Sequence, residues 1–229
     1  MVSVSRLTFL PLTTNTTVST LITFDMVLPN IRALCQEVEI ERVIVTRVTD
    51  YIDGFGQSTP EELELEEGGL HFSSMLEAST STRLPRVEMS VSDPALIQFT
   101  GGTTGLPKGI VHTHYVRSWY GATFAASYRM TPESITMHAG AIVFNGAFVD
   151  LMPTMYVGAT YILLSQFDPV SYIDTIEREK VTHVMLVPAQ IIAILNAPNF
   201  SAKALESLEM ILSLGAPLLK EHKDELNQR

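Results

Sequence analysis

Glycines and threonines dominate the segment Thr100-Gly101-Gly102-Thr103-Thr104-Gly105-Leu106-Pro107-Lys108-Gly109, which also carries one lysine. The apolar run Ala95–Phe99 before it is typical of a buried strand, and residues 111–129 after it have helical spacing. Glycines let backbone N–H groups converge on an anion, while the threonine hydroxyls and Lys108 add donors and charge. The segment therefore predicts a phosphate-binding loop between a strand and a helix.

The loop does not match the Walker A pattern of nucleoside triphosphatases. That pattern needs glycine, lysine and then serine or threonine, whereas Pro107 precedes Lys108 here and Gly109 follows it. A structural glycine-rich turn that happens to contain a lysine is the alternative. The combination of three threonines with Lys108 favours the phosphate loop.

The whole segment resembles the phosphate-binding signature of the acyl-adenylate-forming enzymes, which include acyl-CoA synthetases, aryl-CoA ligases, luciferase-like enzymes and adenylation domains of peptide synthetases. Four further stretches are similar to the same family: residues 93–96, residues 112–114, Leu214–Leu218, which resembles its adenine-contacting turn, and residues 20–46, which resemble long-chain fatty acid–CoA ligases. The resemblance covers about Leu21 to the C-terminus. We therefore expect residues 21–229 to be a partial adenylation domain, and residues 1–20 stay unassigned.

The resemblance implies a ligase that uses ATP, Mg²⁺ and coenzyme A on a small carboxylic acid, either fatty or aryl. The carboxylate attacks the α-phosphate of ATP, pyrophosphate leaves, and the acyl adenylate then forms the CoA thioester. Lys108 is the expected catalytic residue. The expected cofactor-binding residues are Thr100, Gly101, Gly102, Thr103, Thr104, Gly105 and Lys108 at the phosphates and Gly215, Ala216 and Pro217 at the adenine, and Phe144 and Asn145 are expected at the acyl group.

Two other functions stay open at this point. An amino-acid-activating domain would need an aspartate in the acyl pocket, and Asp150 lies about one turn past the expected place. A non-catalytic nucleotide-binding fragment is the other alternative. If the spacing to Gly158 is kept, Val143 stands where the family usually has a histidine.

The family also has a Tyr-Gly-x-Thr-Glu motif, a Thr-Gly-Asp motif and a C-terminal subdomain with a catalytic lysine, none of which occurs before Arg229. We expect the chain to be a fragment that completes neither adenylation nor thioester formation alone. The rest of the same enzyme is then its expected partner.

Composition limits the other classes of function. With 15 basic and 25 acidic residues the net charge is −10, which argues against nucleic-acid binding. Cys35 is the only cysteine, so a reducing, cytoplasmic setting is expected. The most apolar region, Ala139–Leu164, is interrupted by polar residues and a proline, which favours a buried helix and strand over a membrane span.

From Ala95 onward, strand and helix patterns alternate. This predicts an α/β fold with an open, largely parallel sheet and helices on both faces, in which ligands bind beyond the carboxyl ends of the strands. Both expected nucleotide turns follow such strand ends. The segment Tyr115–Phe124 carries aromatic residues expected in the core, His138 and His183 are expected to be buried and hydrogen-bonded, and metal binding by His112 and His114 is not favoured.

Overall fold

A computed structural model describes residues 18–35, 38–47, 69–100 and 108–228 of the 229-residue chain. The chain divides into two compact units, Met1–Glu88 with Phe99–Ile110 and Met89–Gln98 with Val111–Arg229. Residues 50–67, which contain an acidic run, and residues 101–107 of the predicted phosphate loop lie outside the described residues.

The first unit contains a three-stranded parallel sheet in the order β1-β2-β3. Its described helix between β1 and β2 ends at Cys35, and Val38 is not helical. The elements are β1 (Thr20–Phe24), a 3₁₀ turn (Asp25–Val27), α1 (Leu28–Cys35), β2 (Arg42–Thr46), β3 (Gly69–His71) and α2 (Phe72–Ala78).

The phosphate-loop segment connects two strands rather than a strand and a helix. Strand β4 (Pro94–Thr100) and strand β5 (Lys108–Thr113) form a two-stranded sheet, and helix α3 (His114–Ser127) begins only after β5. The prediction of a helix from Val111 was therefore wrong by three residues. The β-branched side chains of Ile110, Val111 and Thr113 favour the extended backbone of a strand.

The first turn of α3 is fixed by the residues that precede it. The His114 N–H donates to the Asp93 carbonyl at 3.1 Å, and the Tyr115 N–H donates to the Val91 carbonyl at 2.9 Å. The Val116 N–H donates to the Thr113 side chain, which caps the helix. Three of the four N–H groups that a helix leaves unbonded at its start thus have acceptors within the chain.

The rest of the second unit alternates strand and helix as predicted. Its four-stranded sheet has the order β7-β6-β8-β9, and every pairing is parallel. Asp168 caps α5 by accepting the Ser171 N–H at 2.9 Å, with Pro169 at the first helical position. The elements are β6 (Ile135–Ala139), α4 (Asn145–Val157), β7 (Thr160–Leu164), α5 (Pro169–Glu179), β8 (His183–Leu186), α6 (Pro188–Leu195), β9 (Met210–Ser213) and α7 (Lys220–Gln228).

Helices cover both faces of this sheet, which confirms the predicted fold class. On one face the core joins Met137 and Val184 of the sheet to Ile173 of α5 and Ile191 of α6. On the other face α4 packs on β6, where the hydroxyls of Thr136 and Thr154 lie 2.7 Å apart. Parallel strands need such covering, since their connections cross over the sheet.

Helix α3 packs on α4 through small residues and one arginine. Its buried positions are Arg117, Gly121 and Ala125, four residues apart and therefore on one stripe of the helix. The expectation that its aromatic residues form core contacts was wrong for Tyr115 and Trp119, which are 59% and 51% exposed. The two helices lie close together, so small side chains fit in the interface and the large aromatic ones lie outside it.

Gly121 provides a test of this helix contact. A Cβ at this position would lie 3.0 Å from the Tyr156 Cβ and 3.2 Å from the Met152 carbonyl oxygen, neither of which can move without shifting α4. We expect Gly121→Ala to lower the free energy of unfolding by about 1–3 kcal/mol, measured by urea denaturation. The overpacking then outweighs the gain of about 1 kcal/mol that alanine brings inside a helix.

Gly146→Ala is the matched control on α4. There the added Cβ would meet only the flexible end of the Met185 side chain, with the terminal methyl at 2.8 Å and the sulfur at 3.8 Å, and this end can rotate away. We expect this variant to stay within about 1 kcal/mol of wild type. Equal losses for the two variants would contradict the assigned helix contact.

Candidate nucleotide and acyl site

The predicted adenine turn lies at the carboxyl edge of the four-stranded sheet. After β9, the Leu214 N–H donates to the Leu186 carbonyl at 3.2 Å, and Gly215 turns the chain with φ of 89°. A Cβ on Gly215 would lie 3.4 Å from the Val187 side chain, so the turn passes close to the end of β8. Ala216 and Pro217 are exposed. This geometry leaves the turn accessible to a ligand.

The predicted acyl residues lie at the same edge, at the start of α4. Phe144 is the residue before the helix and is 69% exposed, and Asn145 is the first helical residue and also exposed. The side-chain amide of Gln98 donates to the Val143 carbonyl at 2.8 Å. Gln98, which sequence reasoning missed, thus ties β4 to the segment that carries Phe144.

The remaining predicted residues belong to the phosphate loop. Thr100 ends β4 and Lys108 begins β5, and both are part of the first unit. Gly101, Gly102, Thr103, Thr104 and Gly105 lie outside the described residues. The phosphate-binding assignment therefore stays a prediction from the sequence.

Asp150 does not line an open acyl site. It is 3% exposed on the face of α4 that packs against the sheet, and it accepts a hydrogen bond from the Met185 backbone. Within the described residues its Oδ2 has no hydrogen-bond partner. Burial raises the pKa of Asp150 to about 7. An amino-acid-activating domain would need this carboxylate exposed and ionised, so the residue gives that alternative no support.

The two buried histidines, His138 and His183, differ in their hydrogen bonding. The ring nitrogens of His183 lie 2.7 Å from the Thr182 hydroxyl and 2.9 Å from the Tyr128 carbonyl, so its predicted hydrogen bonding is confirmed. His138 is 8% exposed, and in the described part of the chain its Nδ1 has no partner, which makes the prediction wrong for this atom. Burial lowers the pKa of His138. A buried imidazole with this environment stays neutral near pH 7.

Arg117 is the buried charge that sequence reasoning missed. It is 7% exposed, and its guanidinium carbon lies 4.2 Å from the centre of the Phe148 ring and 5.4 Å from that of Tyr120. The signal in the sequence was its spacing of four residues from Gly121 and eight from Ala125. Hydrophobic patterning overlooks such a stripe, because arginine and glycine are not counted as core residues.

Neither a metal cluster nor a membrane helix is found in the described ranges. There, no three histidine, cysteine, aspartate or glutamate side chains are grouped so that they could hold a metal ion. His112 instead packs edge-on to Tyr120, with ring centres 6.2 Å apart. Among those same residues, no helix has the length and apolar character needed to cross a bilayer.

The family profile described as AMP-binding enzyme matches residues 13–229. The chain therefore belongs to the AMP-binding enzyme family. The match begins within the segment that sequence analysis left unassigned.

Curated relatives and solved structures agree with this family. The chain is 30% identical over 176 residues to 4-coumarate–CoA ligase 2 of Oryza sativa subsp. japonica, an alignment that covers 71% of this chain and 30% of that protein. It is 32% identical over 136 residues to feruloyl-CoA synthase of an Amycolatopsis species, covering 58% of this chain and 28% of that protein. The chain thus spans about 30% of the length of these relatives.

The fold is similar to that of ATP-bound MatB from Rhodopseudomonas palustris. The TM-score is 0.82 at 21% identity, and the alignment covers 99% of this chain and 41% of that protein. The apo structure of MbtA from Mycobacterium smegmatis gives a TM-score of 0.79 at 21% identity, over 99% of this chain and 39% of that one. At this identity the likeness concerns the fold.

The burial of Asp150 predicts a pH-dependent stability. Its pKa is higher in the folded protein than in the unfolded chain, so it stabilises the fold below about pH 4 and that contribution is lost as pH rises through about 7. Asp150→Asn keeps the shape of the side chain without its charge. We expect the variant to gain unfolding free energy relative to wild type between pH 5 and pH 8, by on the order of a few kcal/mol.

Urea denaturation at several pH values measures this difference. Comparing variant with wild type at each pH cancels the opposite contribution of His138, whose lowered pKa costs stability as pH falls. Glu133→Gln is the control, because that carboxylate is exposed. A pH-independent difference between Asp150→Asn and wild type would contradict the raised pKa.

Proposed function

We propose that this chain is part of an ATP-dependent acid–CoA ligase that activates a carboxylate as its acyl adenylate and then forms the CoA thioester. The observation that carries the proposal is the Thr100–Gly109 loop, directly after β4, within a chain that belongs to the AMP-binding enzyme family. Two of its relatives are named 4-coumarate–CoA ligase and feruloyl-CoA synthase. These names favour an aryl acid as the substrate, with a fatty acid as the second candidate.

In the first half-reaction, an oxygen of the acid carboxylate bonds to the α-phosphorus of ATP, and the bond to the leaving pyrophosphate breaks. Negative charge then accumulates on the pyrophosphate, where Lys108 and the hydroxyls of Thr103 and Thr104 would stabilise it. In the second half-reaction, the thiol sulfur of coenzyme A bonds to the acyl carbon. The thiol gives up its proton, and the bond between the acyl carbon and the phosphate oxygen of AMP breaks, so AMP leaves.

The acid and the adenine are assigned to the carboxyl edge of the four-stranded sheet. The turn Gly215–Pro217 offers exposed backbone beside Val187 for the adenine ring. Phe144 and Asn145, at the start of α4, offer an apolar ring and an amide to the acyl group. In open α/β sheets, ligands bind beyond the carboxyl ends of the parallel strands, which is this edge.

Mg²⁺ is expected to accompany ATP, since it is commonly bound through substrate phosphates and one or two carboxylates. The described residues contain no cluster of three metal-ligating side chains. No residue of this chain is therefore proposed as a Mg²⁺ ligand.

Lys108 provides the main test of the phosphate-loop assignment. In the complete ligase, we expect Lys108→Ala to lower acid-dependent exchange of labelled pyrophosphate into ATP by roughly two to three orders of magnitude. Lys108→Arg should restore the exchange only in part, because the planar guanidinium differs from a compact ammonium. His114→Ala, at the first position of α3, is the matched control and should have a smaller effect. Full exchange in Lys108→Ala would reject the assignment.

The substrate class is tested with the same assay. We expect aryl and fatty acids to support exchange and amino acids to support little, because Asp150 is buried against the sheet and cannot pair with a substrate ammonium. Each acid is compared at equal concentration at pH 7.5. Preferential exchange with an amino acid would favour the amino-acid-activating alternative instead.

A further inference from the structure

Arg117 is enclosed between aromatic rings on two helices. Its guanidinium lies over Phe148 of α4 and near Tyr120 of α3, and the residue is 7% exposed. Among the described residues, none of its three side-chain nitrogens has a hydrogen-bond partner. A guanidinium carries five N–H donors and stays charged in proteins. Five donors and a full charge are thus buried without an acceptor in the part of the chain that the structure describes.

The aromatic contacts offset only part of the cost of this burial. Cation–π contacts contribute up to about 2 kcal/mol, whereas an unpaired buried charge costs considerably more. Burial also lowers the pKa of Arg117, which reflects the unfavourable environment of its charge. A bound oxyanion would offset the rest of this cost, because a carboxylate accepts two parallel hydrogen bonds from a guanidinium.

An anion that pairs with Arg117 would not bind at the N-terminus of α3. The first N–H groups of α3 already donate to Asp93, Val91 and Thr113. The buried carboxylate on α4, Asp150, instead faces the sheet, where the Met185 backbone bonds to it. An anion at this place would therefore bind to the side chain of Arg117.

Arg117 contacts the face of α4 that carries Asn145, one of the two proposed acyl residues. Phe148 lies three residues after Asn145, so these two positions lie on one side of α4. Phe148, which the guanidinium covers, therefore lies about one helical turn along α4 from Asn145. An acid that lies along this face from Asn145 would direct its far end toward Arg117.

We propose that Arg117 is a specificity-determining residue that binds a second carboxylate at the far end of the acid substrate. This proposal rests on the proposed ligase function. The reacting carboxylate loses its charge when it becomes an acyl adenylate, so it cannot stay paired with a buried cation. A second carboxylate keeps its charge through both half-reactions, and it would neutralise Arg117 throughout.

The wild-type chain gives the first test. Trp119, the only tryptophan, lies on α3 two residues from Arg117 and reports binding by its fluorescence. We titrate with adipate and with hexanoate at pH 7.5, since these six-carbon acids differ in the second carboxylate. Adipate should bind at least about tenfold more tightly, as expected for hydrogen bonds to a charged group. Equal affinities, or no binding of adipate, would overturn the proposal.

Substitutions then assign the preference to one side chain. Arg117→Met replaces the side chain by an unbranched apolar one without a charge, so it should abolish the adipate preference while circular dichroism stays native. Arg117→Lys keeps the charge without the planar fork and should retain part of the preference. Arg178→Met is the control, because that guanidinium is exposed and bonds to Glu179. It should bind both acids as wild type does.

An unchanged adipate preference in Arg117→Met would overturn the proposal. If that variant does not fold, Arg117→Lys decides, because full wild-type preference with a lysine would contradict bidentate binding. The titration contains neither ATP nor coenzyme A, so its outcome is separate from the ligase function. Exchange supported equally by hexanoate and adipate would leave the ligase proposal standing and reject only the role of Arg117.

Discussion

The parallel pairing of β6 with both β7 and β8 is the constraint on which the second unit depends. Ile135 pairs with Thr160 on one side, and Thr136 pairs with His183 on the other. Parallel neighbours can be joined only by crossovers, so helices must run over the sheet and bury β6 on both faces. The same pairing brings the ends of β6, β8 and β9 to one edge. The turn at Gly215 and the start of α4 share that edge for this reason.

Because β6 is buried, a polar group beside it destabilises the fold unless that group is hydrogen-bonded. The Thr136 hydroxyl meets Thr154, whose own hydroxyl lies 2.6 Å from the Asp150 carbonyl, and His183 has partners at both nitrogens. Asp150 can become neutral by binding a proton, and His138 by losing one. Arg117 has no such option, because guanidinium stays protonated. Among the buried polar groups described, it is therefore the one whose charge most needs a counterpart.

Family membership and geometry contribute different parts of the functional argument. The profile match and the relatives concern sequence, and they point to chemistry at a nucleotide. The geometry adds which surfaces are open: Phe144, Ala216 and Pro217 are exposed at one edge, while Asp150 is enclosed. Gln98 adds a mechanical link, since its amide holds the Val143 carbonyl beside the strand that leads to the phosphate loop. A change in that strand would thus reach the proposed acyl residues directly.

The sequence by itself determined the alternation of strands and helices and local features such as the cap of α3 by Thr113 and of α5 by Asp168, while the chemistry of the Thr100–Gly109 loop stays a prediction. These follow from periodicity and from side chains that bond to their own backbone neighbours, so a short window contains all the information. Only the tertiary structure decided that β5 follows the loop, that Arg117 is buried while Trp119 is exposed, and that Asp150 faces the sheet. Those outcomes depend on which helix face a distant element covers. Gly121 and Ala125 allow α4 to approach closely, and this contact overrides the hydrophobicity of the aromatic residues beside them.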